Sequence, residues 1–185
     1  NDANAAAYGE FTAGAGREAR NMALLTLGTG VGGGAIVDGK LLHGSHGMGA
    51  EMGHMIVQPG GRPCGCGQVG CLEQYGSATF IARNAMRLIR EEGRASSLAD
   101  VIAAKGEIDA KDINEARRAG DELAAEVWNE AAHYLAMGCL SLARIFDPDV
   151  IVLGGGMTNA GDDLMTPLKK HFNDLHWDMT PVVTD

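Results

Sequence analysis

The sequence predicts an α/β protein, and three observations carry that expectation. Short apolar runs of strand type stand at 21–28, 31–37 and 150–153. Longer segments with the apolar spacing of amphipathic helices lie between and around them. Glycine-rich turns close the strand-type runs, Thr29-Gly30 after the first and Gly154-Gly155-Gly156 after the last. At 185 residues the chain can bury a core as one large domain.

Taken in order, Asn1 and Asp2 stand before a helical run over 3–11, where a capping residue belongs. The strand at 21–28 and the turn Thr29-Gly30 lead to a second strand, Val31–Val37. Asp38-Gly39 is a hairpin signal that passes into Lys40-Leu41-Leu42. A loop with Gly44, Gly47 and Gly49 then delivers Glu51 and His54, and a short strand is predicted over 54–57. A helix over 78–92 carries Phe80, Ile81, Ala85, Leu88 and Ile89 on one face, and Gly93 suits its C-terminal stop. Shorter helices are predicted over 97–104 and 110–118. A long one covers 121–146, with Leu123, Val127, Ala131, Leu135, Leu142 and Ile145 on its buried side, until Asp147-Pro148 breaks it. The strand at 150–153 follows, and a last helix begins near Gly161-Asp162-Asp163. No internal repeat, linker or low-complexity tract interrupts this order.

Charge and composition exclude some classes. A net charge of −9 argues against broad nucleic-acid or membrane-surface binding by this segment. No apolar run approaches membrane-spanning length, and no signal peptide is visible. Thiols spaced for a metal point to a reducing compartment, so a cytoplasmic protein is expected. The chain opens at Asn1, without a methionine, at what reads as a helix start; a piece of a longer protein is expected.

The densest chemistry lies between Glu51 and Glu73. Three of the chain's four cysteines stand in Cys64-Gly65-Cys66-Gly67-Gln68-Val69-Gly70-Cys71, with His54 shortly upstream. Three thiolates and one imidazole make a complete tetrahedral set for Zn²⁺, and a closed set leaves no position for water, so the metal reads as structural. Gly65, Gly67 and Gly70 are expected to supply left-handed turns that aim the sulfurs inward. The competing reading is a disulfide, although Cys64 and Cys66 make an awkward pair and three clustered cysteines leave one unpaired. His43 and His46 compete with His54 for the fourth position. Cys139, in a helical apolar run, reads as a small core residue.

Gly28, Gly30 and Gly33 form a formal G-x-G-x-x-G. The dinucleotide fingerprint needs a helix after the glycines, whereas Ala35-Ile36-Val37 continues as strand, and no lysine follows to make a Walker loop. What remains is a strand–turn–strand whose Thr29 hydroxyl and backbone N–H groups can cradle an anion. With the second cluster at Gly154 to Gly156, two glycine turns at strand ends can hold one nucleotide.

These residues together resemble the ROK family (repressors, open reading frames, sugar kinases), and within it the zinc-containing bacterial glucokinases. The resemblance rests on Asn1-Asp2-Ala3-Asn4 with Gly9-Glu10, Leu27 to Gly32, Glu51-Met52-Gly53-His54, Cys64 to Glu73, and Val152 to Gly156, in the family's order. It implies an actin/hexokinase-like (ribonuclease H-like) α/β ATPase lobe with helical additions and a zinc loop. It further implies that residues 1–185 form the C-terminal large lobe of a sugar kinase, with the N-terminal lobe and its D-x-G-G-T phosphate motif, and the terminal helix, lying outside this chain. By that resemblance Asp2 is the catalytic base, and Asn1, Asp2, Glu51, His54 and Glu73 hold the sugar. Gly28, Thr29, Gly30, Gly154, Gly155 and Gly156 hold ATP with its Mg²⁺, and His54, Cys64, Cys66 and Cys71 hold structural Zn²⁺. The implied reaction is ATP-dependent phosphorylation of a hexose 6-hydroxyl, most simply glucose, in a homo-oligomer such as a dimer, with little turnover from this chain alone. The rival implication is a sugar-responsive repressor whose DNA-binding domain lies upstream.

Overall fold

The structure, a computed structural model, describes residues 2–176. Helix α1 (Asp2–Ala13) leads to strands β1 (Met22–Leu27), β2 (Val31–Val37) and β3 (Lys40–Leu41). A 3₁₀ turn at Met52–His54 and the cysteine loop precede helices α2 (Glu73–Gly76), α3 (Ala78–Arg90), α4 (Leu98–Lys105), α5 (Ala110–Arg118) and α6 (Glu122–Phe146). Strand β4 (Val150–Gly154), a 3₁₀ turn at Gly156–Ala160 and helix α7 (Asp162–Leu175) complete the described chain.

Among the described residues the strands form one mixed sheet in the order β3-β2-β1-β4. β1 pairs antiparallel with β2, Leu27 opposite Val31, and parallel with β4, Met22 opposite Val150. The parallel neighbour is reached only after α2 to α6, as a crossover requires. Alternation along β1 splits the core. Ala23, Leu25 and Leu27 join the large cluster with the helical body, while Met22 and Leu24 pack with Ala7 and Ile36 under α1. The sheet is therefore a middle layer between one helix and a helical body dominated by the contact of α6 with α7.

Local signals set the helix ends. The Asp121 carboxylate caps α6 by accepting from the Ala124 N–H at 2.9 Å. Asp109 and Asp112 form a reciprocal capping box on α5. Ser77 caps α3, accepting from Phe80 N–H at 3.4 Å. Asp147, in the left-handed region at φ 42°, ends α6.

Three expectations need correction. No strand covers 54–57: its place is taken by the 3₁₀ turn and one bridge between Ile56 and Cys71, because Val57 and Gln58 both donate to the Gly70 carbonyl instead of to a neighbouring strand. Ile145 is 67% exposed, since in the last turn of α6 it lies on the margin of the apolar stripe while Leu142 and Phe146 face the core. Helix α1 already includes Asp2, and the short α2 had no sequence signal beyond its own four residues.

The seat of α1 on the sheet is unusually close. A Cβ on Gly34 would lie 2.5 Å from Ala7 Cβ and 3.0 Å from the Ala3 carbonyl oxygen, so only glycine admits the helix at this distance. Gly34→Ala should therefore destabilise the fold by about 1–3 kcal/mol, and adding Ala7→Gly should recover part of that loss. Denaturant unfolding of the two variants checks both expectations.

Candidate active site and cysteine–histidine centre

The carboxyl end of β1, the start of β2 and the first turn of α1 open onto a cleft of about 430 Å³. That volume lies in the range of small-molecule sites, roughly 300–1,000 Å³. Asp2 enters from α1, Gly28, Thr29 and Gly30 from the β1–β2 turn, Glu51 and His54 from the 3₁₀ segment, Glu73 from α2, and Gly155 from the loop after β4. Residues spread over most of the sequence thus converge on one polar concavity. Gly154 and Gly156 flank Gly155 but are not among the residues lining it. Asn1 lies outside the described residues.

Two backbone features shape this cleft. The Gly28 carbonyl accepts from Ala78 N–H at 2.9 Å, which ties the β1–β2 turn to the start of α3. Glu73 is held against the same turn, its Oε2 accepting from Val31 N–H at 3.1 Å. Beyond Thr29 a second cavity of about 520 Å³ is lined by Thr79, Arg83, Met86, Lys105 and Asp109, among others. Apart from Thr29, its lining comes from α3, the end of α4, the α4–α5 connection and the start of α5, and no sequence motif marked those residues.

Beside the cleft, His54, Cys64, Cys66 and Cys71 each offer one ligand atom, and these atoms all lie within 4.8 Å of one another. His54 Nδ1 and Cys64 Sγ are 3.7 Å apart, as are Cys66 Sγ and Cys71 Sγ. Ligands about 2.3 Å from a tetrahedral zinc would be separated by roughly 3.7–3.8 Å, so the donor set and spacing fit that ion. The cysteines are free thiols, which removes the disulfide reading, and His43 and His46 are not in the group. Of the glycines expected to turn left-handed, Gly67 and Gly70 do so at φ 91° and 81°; Gly65 does not, since the turn closed by Gly67 N–H on the Cys64 carbonyl needs that conformation only at its end. Burial pushes the Cys71 thiol up to about 12, helped by Cys64 and Cys66, while a backbone hydrogen bond at Gln68 lowers exposed Cys66. Cys139 is buried in α6, and burial pushes its thiol up to about 12.

A clamp that sequence reasoning missed fixes this loop to the helices. Arg62 Nη2 donates to both oxygens of Glu130 on α6 at 2.9 and 3.0 Å, and Nη1 donates to the Gln74 carbonyl at 3.1 Å. The guanidinium lies 4.3 Å from the Tyr75 ring centroid, and the Tyr75 hydroxyl accepts from Arg62 N–H at 2.8 Å. Asn84 on α3 donates to the same Glu130 carboxylate at 2.9 Å. Nothing in the local sequence pairs Arg62 with a residue so far along the chain.

The mixed sheet, the strand-end glycine turns and the cleft between them define the class of actin- and hexokinase-like α/β lobes. The profile of the ROK family matches residues 1–183, and the chain belongs to the ROK family. It is 49% identical to a glucokinase of Halalkalibacterium halodurans over 173 residues, 93% of this chain and 52% of that protein. The structure of a ROK glucokinase from Streptomyces griseus, in complex with glucose and AMPPNP, superposes with a TM-score of 0.84 at 37% identity, covering 98% of this chain and 60% of that one. A ROK-family transcriptional regulator, a homologue of the E. coli MLC protein, superposes at 0.79 and 31% identity over 94% of this chain and 43% of its own. The chain spans about half the length of the curated relatives it matches. Among the described residues no helix is long and apolar enough to cross a membrane.

Arg62→Ala should loosen the cysteine loop, costing about 1–2 kcal/mol of stability through loss of a charge-assisted bidentate pair. Hydrogen exchange at 62–71 should accelerate more than exchange in β1 and β2.

Proposed function

We propose that this chain is the large C-terminal lobe of an ATP-dependent glucokinase, transferring the γ-phosphoryl group of ATP to the 6-hydroxyl of glucose. The observation that carries the reading is the convergence of Asp2, Glu51, His54 and Glu73 on one cleft beside the Thr29 turn. The glucose and AMPPNP held by the S. griseus relative support the substrate pair.

In this reading Asp2 accepts the proton of the attacking hydroxyl as its oxygen bonds to phosphorus and ADP departs. Glu51, His54 and Glu73 accept and donate hydrogen bonds to the remaining sugar hydroxyls and fix the attacking one. Phosphoryl transfer depends on positioning and charge stabilisation more than on covalent chemistry. The Thr29 hydroxyl and turn backbone face the phosphates, with Gly154 to Gly156 at the other strand end, and the cavity bounded by Arg83 and Lys105 has room for the nucleoside. Mg²⁺ bound with ATP would neutralise charge on the transferred group. Zn²⁺ held by His54, Cys64, Cys66 and Cys71 would brace the loop between Glu51 and Glu73. His54 Nδ1 faces Cys64, which leaves its other ring nitrogen for the sugar. A small N-terminal lobe, closing over the sugar and supplying a further phosphate motif, completes this two-lobed scheme. The second reading, a sugar-responsive regulator, draws on the regulator of similar fold; the higher identity to a glucokinase favours the kinase.

The metal assignment is checked by elemental analysis. Reduced protein should carry about one zinc per chain, Cys66→Ser should lose it, and Cys139→Ser should keep it. Catalysis is checked on the complete protein with a sugar panel, ATP and Mg²⁺. Glucose should be turned over, and Asp2→Asn should still bind it while slowing transfer by about 10²–10⁴. Turnover within a few-fold of the parent would reduce Asp2 to the first residue of a helix, and no turnover of any sugar by the parent would leave the regulator.

A further inference from the structure

Gly30 and Gly33 fall within a glycine run that reads, in sequence, as a nucleotide-phosphate turn. Their surroundings point elsewhere. The three atoms nearest to a Cβ on Gly30 would all belong to Glu73: Oε2 at 2.4 Å, the carboxyl carbon at 3.3 Å and Cγ at 4.0 Å. The neighbouring Val31 N–H holds that same carboxylate at 3.1 Å. A Cβ on Gly33 would lie 2.6 Å from the Ala50 carbonyl oxygen and 2.6 Å from Met52 Cβ, the residues on either side of Glu51. Ala50 has φ 64°, in the left-handed region, and carries no polar side chain of the kind that lets Asn or Asp adopt it at lower cost. Its carbonyl accepts from Met52 N–H at 2.8 Å, closing a tight bend that aims Glu51 back toward the cleft. The strained bend is pressed against the bare α-carbon of Gly33.

We infer that Gly30 and Gly33 are positioning residues for the sugar-side carboxylates, Gly30 seating Glu73 and Gly33 seating the Ala50–Met52 bend that carries Glu51. The inference rests on the sugar-and-nucleotide reading of the cleft. It moves Gly30 from the nucleotide half of the site to the sugar half and gives Gly33, which lines the cleft but touches no expected phosphate position, a function of its own. Gly28 is the internal contrast, because a Cβ there would meet no atom within 4 Å. The two seats differ in stiffness. At Gly30 the obstructing atom is the far end of a flexible side chain, so Gly30→Ala should fold normally with Glu73 displaced. At Gly33 the obstruction is the Ala50 carbonyl oxygen together with the root of the Met52 side chain, so the whole bend must shift.

The test is calorimetric titration of glucose, and separately of AMPPNP without sugar, into the complete zinc-loaded protein, with zinc content and thermal unfolding recorded for each variant. Gly30→Ala and Gly33→Ala should each weaken glucose binding about tenfold or more, the scale of losing one well-placed charged hydrogen bond. Both should leave AMPPNP affinity within about threefold. Gly9→Ala, exposed on α1 with open space where its Cβ would stand and outside the cleft lining, should leave glucose affinity within the same margin. A Gly30→Ala protein that loses AMPPNP affinity and keeps glucose affinity would overturn the inference while sparing the kinase reading. Loss of zinc or of cooperative unfolding in both variants would make the glycines structural only and overturn it too. A parent protein that binds neither ligand would remove the functional reading itself, and this one with it.

Discussion

Close approach of other segments to β2 is the constraint on which the cleft depends. Helix α1 sits on one face, with Ala3 and Ala7 against Gly32 and Gly34. The bend before the 3₁₀ turn sits on the other face against Gly33, and a Cβ on Gly53 would fall 1.8 Å from the Val31 carbonyl oxygen. A side chain at any of these positions would push a neighbour outward by an ångström or more, and interiors packed to crystal-like density do not absorb such shifts locally. Asp2 is carried by the helix on one face, Glu51 and His54 by the segment on the other. Their separation is therefore set by the thickness of a bare backbone. Catalytic geometry tolerates errors of well under an ångström, which gives this thinness a functional meaning.

The cysteine loop is braced from two sides. The side chains of Cys64, Cys66 and Cys71 converge with that of His54, and the Arg62–Glu130 pair with the Tyr75 ring fastens the loop to α6. Tyr134 extends the contact, its ring centroid 4.2 Å from that of Tyr75 and its hydroxyl donating to Gln58 at 3.1 Å. Since His54 belongs to both the ligand group and the cleft, and Glu73 follows directly on Cys71-Leu72, rigidity in the loop passes to two of the residues facing the cleft. A polar site built on loops alone would lose side-chain order; here a charged clamp supplies order that a short glycine-rich segment lacks, and a metal at the cysteine–histidine cluster, under the proposed reading, would add to it.

Much was legible before any coordinates. The strands at 31–37 and near 150, the long helix ending at Phe146 and the resemblance to the ROK family follow from short apolar runs, from helical apolar spacing closed by Asp147-Pro148 and from motifs whose residue types have few other uses. Three of the four possible metal ligands were legible for the same reason, since three cysteines separated by glycines leave little else for the loop to do, while the choice of His54 over His43 and His46 came from the fold. Ile145 and the segment 54–57 were misread because both are apolar by type and their fate is set by distant partners. Ile145 runs out of neighbours at the end of α6, and the backbone of 57–58 finds its partner at Gly70.

By itself, then, the sequence determined most of the elements, the family and the chemical kinds present: carboxylates, an imidazole, thiols and glycine turns in a recognisable order. Such signals are local, carried by periodicity and by neighbours a few residues apart. Tertiary structure alone decided which of these share a cleft, that Gly155 reaches it while Gly154 and Gly156 do not, that Arg62 finds Glu130, and that Gly30 and Gly33 meet Glu73 and the Ala50 bend. Those are distances between residues far apart in the chain. They are set by how closely bare backbone lets helix, strand and loop approach one another, and no short-range pattern records them.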